Sequence, residues 1–139
     1  MPTFSKKSLE RLETCHVSLQ QIMNRAILEY DFTVLCGHRN KEDQDKAFAE
    51  GNSKTPWPKS KHNKIPSWAV DIAPYPIDWN DMDRFKQLAK IVLRIADELA
   101  VPIRWGGDFN TDGDKTTNDA WDKPHFELIY PVKKVGTRC

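Results

Sequence analysis

The sequence predicts an α+β fold in which helices pack on a small, mostly antiparallel sheet. Three observations point to it. Two long segments repeat apolar residues at helical spacing, and four short runs are apolar and strand-like. The chain has 139 residues, 39% of them hydrophobic and five of them Trp, which suffices for one packed core without staples. It contains no internal repeat and no low-complexity segment, so residues 1–139 read as a single domain.

The elements follow in chain order. Residues 8–30 place Leu9, Leu12, Leu19, Ile22, Met23, Ala26, Ile27 and Tyr30 at steps of three and four, which reads as helix, with a break near residues 14–16 that would split it in two. Residues 32–36 (FTVLC) form a buried strand ended by Gly37. Asn40 caps a short helix running to about Ala49, where Gly51 stops it. Residues 52–67 hold Pro56, Pro58 and Pro66 among Ser, Asn and Lys, a long loop of the kind that commonly carries function. Residues 68–73 (WAVDIA) form a second strand. Asn80 is expected to cap a helix over residues 81–99, with Phe85, Leu88, Ala89, Val92 and Ala96 on its apolar face. Residues 102–105 and 125–130 (HFELIY) supply the third and fourth strands, separated by an Asp-rich loop.

Lys and Arg total 21 and Asp and Glu 20, a formal net charge of +1. This excludes a nucleic-acid binder that works by bulk charge. Apolar stretches are too short to span a bilayer. Three cysteines, Cys15, Cys36 and Cys139, form no framework and read as free thiols made in a reducing compartment. Lys6 and Lys7 are followed by no apolar segment, so no signal peptide is expected. The near-zero total hides two opposed stretches. Residues 51–64 carry Lys54, Lys59, Lys61 and Lys64 and no acid. Residues 108–122 carry five aspartates and only Lys115.

Among four histidines, His16 and His38 read as structural or surface residues. His62 differs, because Asp71 follows nine residues later inside an apolar strand. A carboxylate is almost never fully buried unless paired or metal-bound, so Asp71 needs a partner. His125 opens the last strand. Two His and one carboxylate make a catalytic zinc set with a fourth position left for water, whose pKa such a zinc lowers to about 7. The alternative is a His62–Asp71 hydrogen bond beside a packed His125.

Ser60-x-His62, Pro66-Ser67-x-Ala69-Val70-Asp71, Ala73-Pro74-Tyr75-Pro76 and Asp122-x-x-His125 together resemble the phage endolysins that are L-alanyl-D-glutamate peptidases. These belong to the zinc peptidase superfamily of VanX/VanY-type D-Ala-D-Ala peptidases and the hedgehog N-terminal domain. The resemblance extends over nearly the whole chain and includes Gly37-x-Arg39 and Ile77-Asp78-Trp79-Asn80. One departure stands out: the superfamily spaces Ser-x-His and Asp by seven residues with a Gly between, and here the gap is nine with Pro66-Ser67 in its place.

The resemblance implies a hedgehog/D-Ala-D-Ala-peptidase-like fold in which His62, Asp71 and His125 bind zinc. Asp122 would be the general base, since amide hydrolysis needs a proton taken from water and later given to the leaving amine. Arg39 would hold a substrate carboxylate or steady the oxyanion, with a surface ion pair as the alternative. Ser60 would hydrogen-bond in the site or merely cap a loop. The substrate implied is the stem peptide of peptidoglycan, cut at L-Ala–D-Glu. The alternatives are a D-Ala-D-Ala carboxypeptidase or dipeptidase, and a non-catalytic metal-binding module. A bare catalytic domain with no wall-binding domain and no leader implies a monomeric enzyme held in the host cytoplasm until a holin releases it to the wall. Nucleic-acid binding by Lys54 to Lys64 with Trp57 is the weakest reading.

The Asp-rich loop matches an EF-hand loop over its first seven positions. Asp108, Asn110, Asp112, Asp114, Thr116 and Asp119 take positions 1, 3, 5, 7, 9 and 12, and Gly113 takes the turn at position 6. Position 12 is Asp where a bidentate Glu is usual, and no second helix follows. The alternative is a solvated Asp/Asn turn. The expectation is a regulatory calcium site that orders the loop and places Asp122, three residues beyond Asp119.

Overall fold

A computed structural model describes residues 2–107 and 122–129. In order it contains α1 (Lys6–Leu12), α2 (Val17–Ala26), β1 (Phe32–Cys36), α3 (Lys41–Ala49), a short 3-10 turn (Lys61–Asn63), β2 (Ala69–Pro74), α4 (Met82–Glu98), β3 (Ile103–Trp105) and β4 (His125–Leu128). The strands form one antiparallel sheet in the order β1-β2-β4-β3. The α+β expectation therefore holds, and so does the break in the first helical segment.

Local chemistry sets the boundaries. Ser5 caps α1 through the Ser8 amide. The His16 ring caps α2 by accepting from the Ser18 amide, so this histidine is structural. α2 ends at Ala26, four residues short of the expected end. Asn40 caps α3 as expected. The α4 cap is Asp81 and not Asn80: the Asp81 carboxylate accepts from the Arg84 amide at 3.3 Å, while the Asn80 amide is itself bonded to Asp78. Both residue types suit the position, and which one turns toward the helix depends on the preceding turn. β2 begins at Ala69, one residue later than expected.

The period of two along each strand gives the sheet two different faces. Val34, Val70, Ile72, Trp105, Phe126 and Leu128 point into the core with Leu19, Ile22 and Met23 of α2 and Leu88, Val92 and Ile95 of α4, all at most 1% exposed. The residues between them, Asp71, Arg104, His125 and Glu127, therefore stand on the opposite face. Register aligns them: Asp71 pairs with His125 and with Cys36, and Glu127 pairs with Arg104. The 3-10 turn between β1 and β2 lies on this second face, where His62 meets Asp71 and His125. Among the described residues no helix is long and apolar enough to cross a membrane.

Candidate active site

His62 lies on the 3-10 turn that the Pro-rich loop builds. Ser60 starts the turn as a capping box, its hydroxyl accepting from the His62 amide and its own amide donating to Asn63. Arg39 N–H donates to the His62 carbonyl at 2.8 Å, which ties the turn to the end of β1. Asp71 and His125 come from adjacent strands at paired positions.

Three potential ligand atoms converge. His62 Nε2 lies 3.2 Å from Asp71 Oδ1, His125 Nδ1 lies 3.0 Å from the same oxygen, and the two nitrogens are 3.3 Å apart. Tetrahedral N and O ligands at zinc distances stand roughly 3.3 Å apart, so the triangle has the dimensions of a zinc face. The opposite ring nitrogens fix the tautomers. His62 Nδ1 lies 2.7 Å from the Gly37 carbonyl, which can only accept, so this nitrogen carries the proton. His125 Nε2 lies 2.7 Å from Glu127 Oε1 and donates to it. The inner nitrogens, His62 Nε2 and His125 Nδ1, thus face Asp71, where each carries a shared proton or offers a lone pair to a cation. Three acceptors this close are tolerable only around a cation or shared protons, and such outer partners are typical of metal-ligating histidines.

The ionisation behaviour agrees. Burial disfavours the charged imidazoles, but the Asp71 charge and hydrogen bond lift His62 to about 10, and the hydrogen bonds of Asp71 and Glu127 lift His125 to about 9. Burial likewise opposes an ionised Asp71, yet the two histidines hold its carboxyl well below the usual range. The centre attracts positive charge, and a metal bound there would compete with protons.

Asp122 stands beside this centre, with Oδ2 3.8 Å from His125 Nδ1. Burial pushes its carboxyl up to about 6, against the lowering effect of His125. The last residue of β3 and the glycine after it hold this stretch in place. Trp105 Nε1 donates to the Lys123 carbonyl at 2.6 Å, and Gly106 N–H donates to the His125 carbonyl at 2.6 Å. A Cβ on Gly106 would overlap the Asp122 carbonyl, so glycine is required there by close approach.

Arg39 is mostly buried, with Nη2 3.7 Å from Asp71 Oδ2 and Nη1 donating to Gln44 Oε1 at 2.9 Å. It is therefore not a solvent-exposed ion pair. Ser60 is buried in the turn and lines the cleft. His38 Nδ1 lies 3.0 Å from the Lys64 carbonyl and takes no part in the centre. The six residues of the expected calcium loop, Asp108, Asn110, Asp112, Asp114, Thr116 and Asp119, lie outside the described residues.

Three participants escaped the sequence reading. Glu127, 7% exposed, is gripped by His125, by Arg104 Nε at 2.8 Å and by Lys61 Nζ at 3.2 Å. Burial would raise its carboxyl, but these partners hold it down at about 2. Its signal was a charged residue in an apolar strand two positions after a ligand, the same signal that marked Asp71. Gln44, the one buried residue of α3, joins Arg39, Asn63, Ser53 and Thr55. Cys36 brings a thiol near the cluster, and Cys36, His62 and Asp71 offer donor atoms within 4.8 Å of one another. The Cys36 contact, however, is 3.9 Å to His62 Nδ1, the nitrogen already committed to Gly37, so the thiol borders the ring on its far side. Cys15 is buried, and both thiols are free.

A His–Asp–His cluster with the Asp122 carboxylate beside it, set in an open cleft of about 350 Å³, has the residue types of a metal-dependent hydrolase site. The family model of the phage L-alanyl-D-glutamate peptidases matches residues 2–129. The chain belongs to that family. It is 36% identical over 135 residues to the L-alanyl-D-glutamate peptidase of Escherichia phage T5, covering 91% of this chain and 97% of that one. The crystal structure of the L-Ala D-Glu endopeptidase ChiX of Serratia marcescens superposes with a TM-score of 0.71 at 28% identity, covering 91% of this chain and 90% of that one.

Proposed function

We propose that this protein is a zinc peptidase that hydrolyses the L-alanyl–D-glutamate bond of peptidoglycan stem peptides and acts as an endolysin. The observation that carries it is the triangle of His62 Nε2, Asp71 Oδ1 and His125 Nδ1, with edges of 3.0 to 3.3 Å. A zinc ion held by these residues would supply Lewis acidity and lower the pKa of a water to about 7.

The chain's own groups do the rest. Asp122 takes the proton of the attacking water and delivers it to the departing amine. Its raised carboxyl pKa of about 6 suits both tasks near neutrality. Arg39, held by Gln44 beside Asp71, turns a guanidinium toward the cleft to steady negative charge on the carbonyl oxygen or a substrate carboxylate. Ser60 holds the turn that carries His62. The names of the matched family and relatives favour the L-Ala–D-Glu bond over D-Ala-D-Ala. The carboxylate of Asp122 beside His125 disfavours a non-catalytic metal module.

Calcium bound by Asp108, Asn110, Asp112, Asp114, Thr116 and Asp119 would order the segment leading to Asp122 and switch activity on outside the cytoplasm. The monomeric chain would reach the wall after a holin opens the inner membrane.

One digestion experiment tests these readings. Zinc-loaded protein on purified peptidoglycan should yield fragments with a new D-glutamyl amine by mass spectrometry. Asp122→Asn should lower the rate about 10²- to 10⁴-fold with zinc retained. Selective removal of calcium should lower it as well. Cleavage at another bond refutes the specificity, and a rate indifferent to calcium refutes the switch.

A further inference from the structure

We propose that Trp79 and Lys123 form a latch that positions Asp122, the Lys123 ammonium resting against an aromatic stack while its backbone carries the carboxylate of the preceding residue. The inference rests on the reading of Asp122 as general base. It adds to that reading two positioning residues that do not line the cleft.

The first argument is the stack itself. Trp79 lies in the segment between β2 and α4 and is 48% exposed. Its indole stacks on Phe85, a buried residue near the start of α4, with ring centroids 5.6 Å apart and planes inclined by 22°. Lys123 Nζ lies 5.4 Å from the Phe85 centroid and 5.8 Å from that of Trp79. Both distances fall within the roughly 6 Å over which a ring attracts a cation, and Trp attracts most strongly. Phe85 is fixed in the core, so the stack is a firm seat for the ammonium.

The second argument is where Lys123 sits. It follows Asp122 directly and precedes His125 by two residues. The sheet holds the backbone here at three points. Trp105 Nε1 donates to the Lys123 carbonyl at 2.6 Å, Ile72 N–H to the Pro124 carbonyl at 2.9 Å and Gly106 N–H to the His125 carbonyl at 2.6 Å. A residue held by its carbonyl alone can still rock about that bond. A second anchor at the far end of its side chain stops the rocking, and the peptide joining it to Asp122 is fixed with it. The latch also ties Asp122 to the segment that leaves β2, the strand bearing Asp71.

The third argument is one of scale. A cation–ring contact at a half-exposed site contributes little to global stability. A catalytic group misplaced by about 1 Å can cost up to 10²-fold in rate. The latch should therefore register in turnover and not in folding.

The test measures kcat and KM of the zinc-loaded full chain on a soluble stem peptide, with zinc content and thermal unfolding alongside. Trp79→Leu and Lys123→Met should each lower kcat about three- to tenfold, with KM, zinc content and unfolding temperature nearly unchanged. Trp79→Phe and Lys123→Arg, which keep a ring and a cation, should recover most of the loss. The double variant Trp79→Leu/Lys123→Met should be no slower than the worse single, because both changes break one contact. In an Asp122→Asn background Trp79→Leu should cost nothing further, because the latch acts through Asp122. Unchanged kcat in both single variants, losses that multiply in the double variant, or an undiminished loss in the Asp122→Asn background overturns the latch while the reading of Asp122 stands. Full kcat in Asp122→Asn overturns both.

Discussion

At the scale of single residues, the proposed centre depends on what stands behind its two histidines. His62 and His125 are each turned by one outer hydrogen bond, to a backbone carbonyl and to Glu127 respectively. Glu127→Ala should weaken zinc binding about 10- to 100-fold in competition with a chromophoric chelator. Glu127→Gln, which keeps an acceptor for His125, should recover part of the loss. Unchanged affinity in both variants would remove Glu127 from the site. His62, Asp71, His125 and Asp122 were legible in the sequence because buried charge needs a reason and the motif order supplied one. Glu127 was equally legible in principle, since HFELIY places a carboxylate at i+2 from a ligand on the same strand face. The Gly37 carbonyl and the Cys36 thiol were not legible, because backbone direction and a bulge near Cys36 decide what they touch.

At the scale of elements, the periods of two and 3.6 carried most of the fold. The alternation in β2 and β4 puts Val70, Ile72, Phe126 and Leu128 inward and the chemistry outward. The misplaced α4 cap shows the limit of such reading: Asn80 and Asp81 are both good caps, and the Asp78 turn selects between them. The short 3-10 turn under His62 was hidden in a Pro-rich loop whose path depends on Ser60 and Asn63 closing on each other. β3 was expected only as a third short strand, yet Trp105 and the following Gly106 contact the stretch from Asp122 to His125. Gly106→Ala should therefore displace Asp122 and cut turnover at least about tenfold, since small misplacements of a catalytic group are costly. Zinc content is the control, because Gly106 N–H also bonds the His125 carbonyl: turnover lost with zinc retained places the effect at Asp122, and turnover lost in step with zinc places it at His125. Full activity in Gly106→Ala would show that the contact is soft.

At the scale of the whole molecule, near-neutral composition conceals a sorted charge distribution. The basic stretch leads into His62 and rims the cleft, and the acidic stretch leads toward Asp122. One zinc and one calcium would make the working molecule four charges more positive than its bare sequence, which favours meeting an anionic wall. The cation-seeking character of the centre has a direct consequence. The raised affinity of His62 and His125 for protons means that the proposed zinc would have to displace them. Zinc uptake near pH 7 should release at least about one proton per ion and weaken as pH falls, which calorimetry in buffers of different ionisation enthalpy measures.

The most direct test of the central claim is the metal content of the purified full-length chain. Elemental analysis should find about one zinc per molecule in the wild type and in Asp122→Asn, and almost none in His62→Ala or His125→Ala that retain native circular dichroism. A wild-type protein that hydrolyses its substrate without zinc, or a folded His62→Ala protein that keeps its full complement, would contradict it.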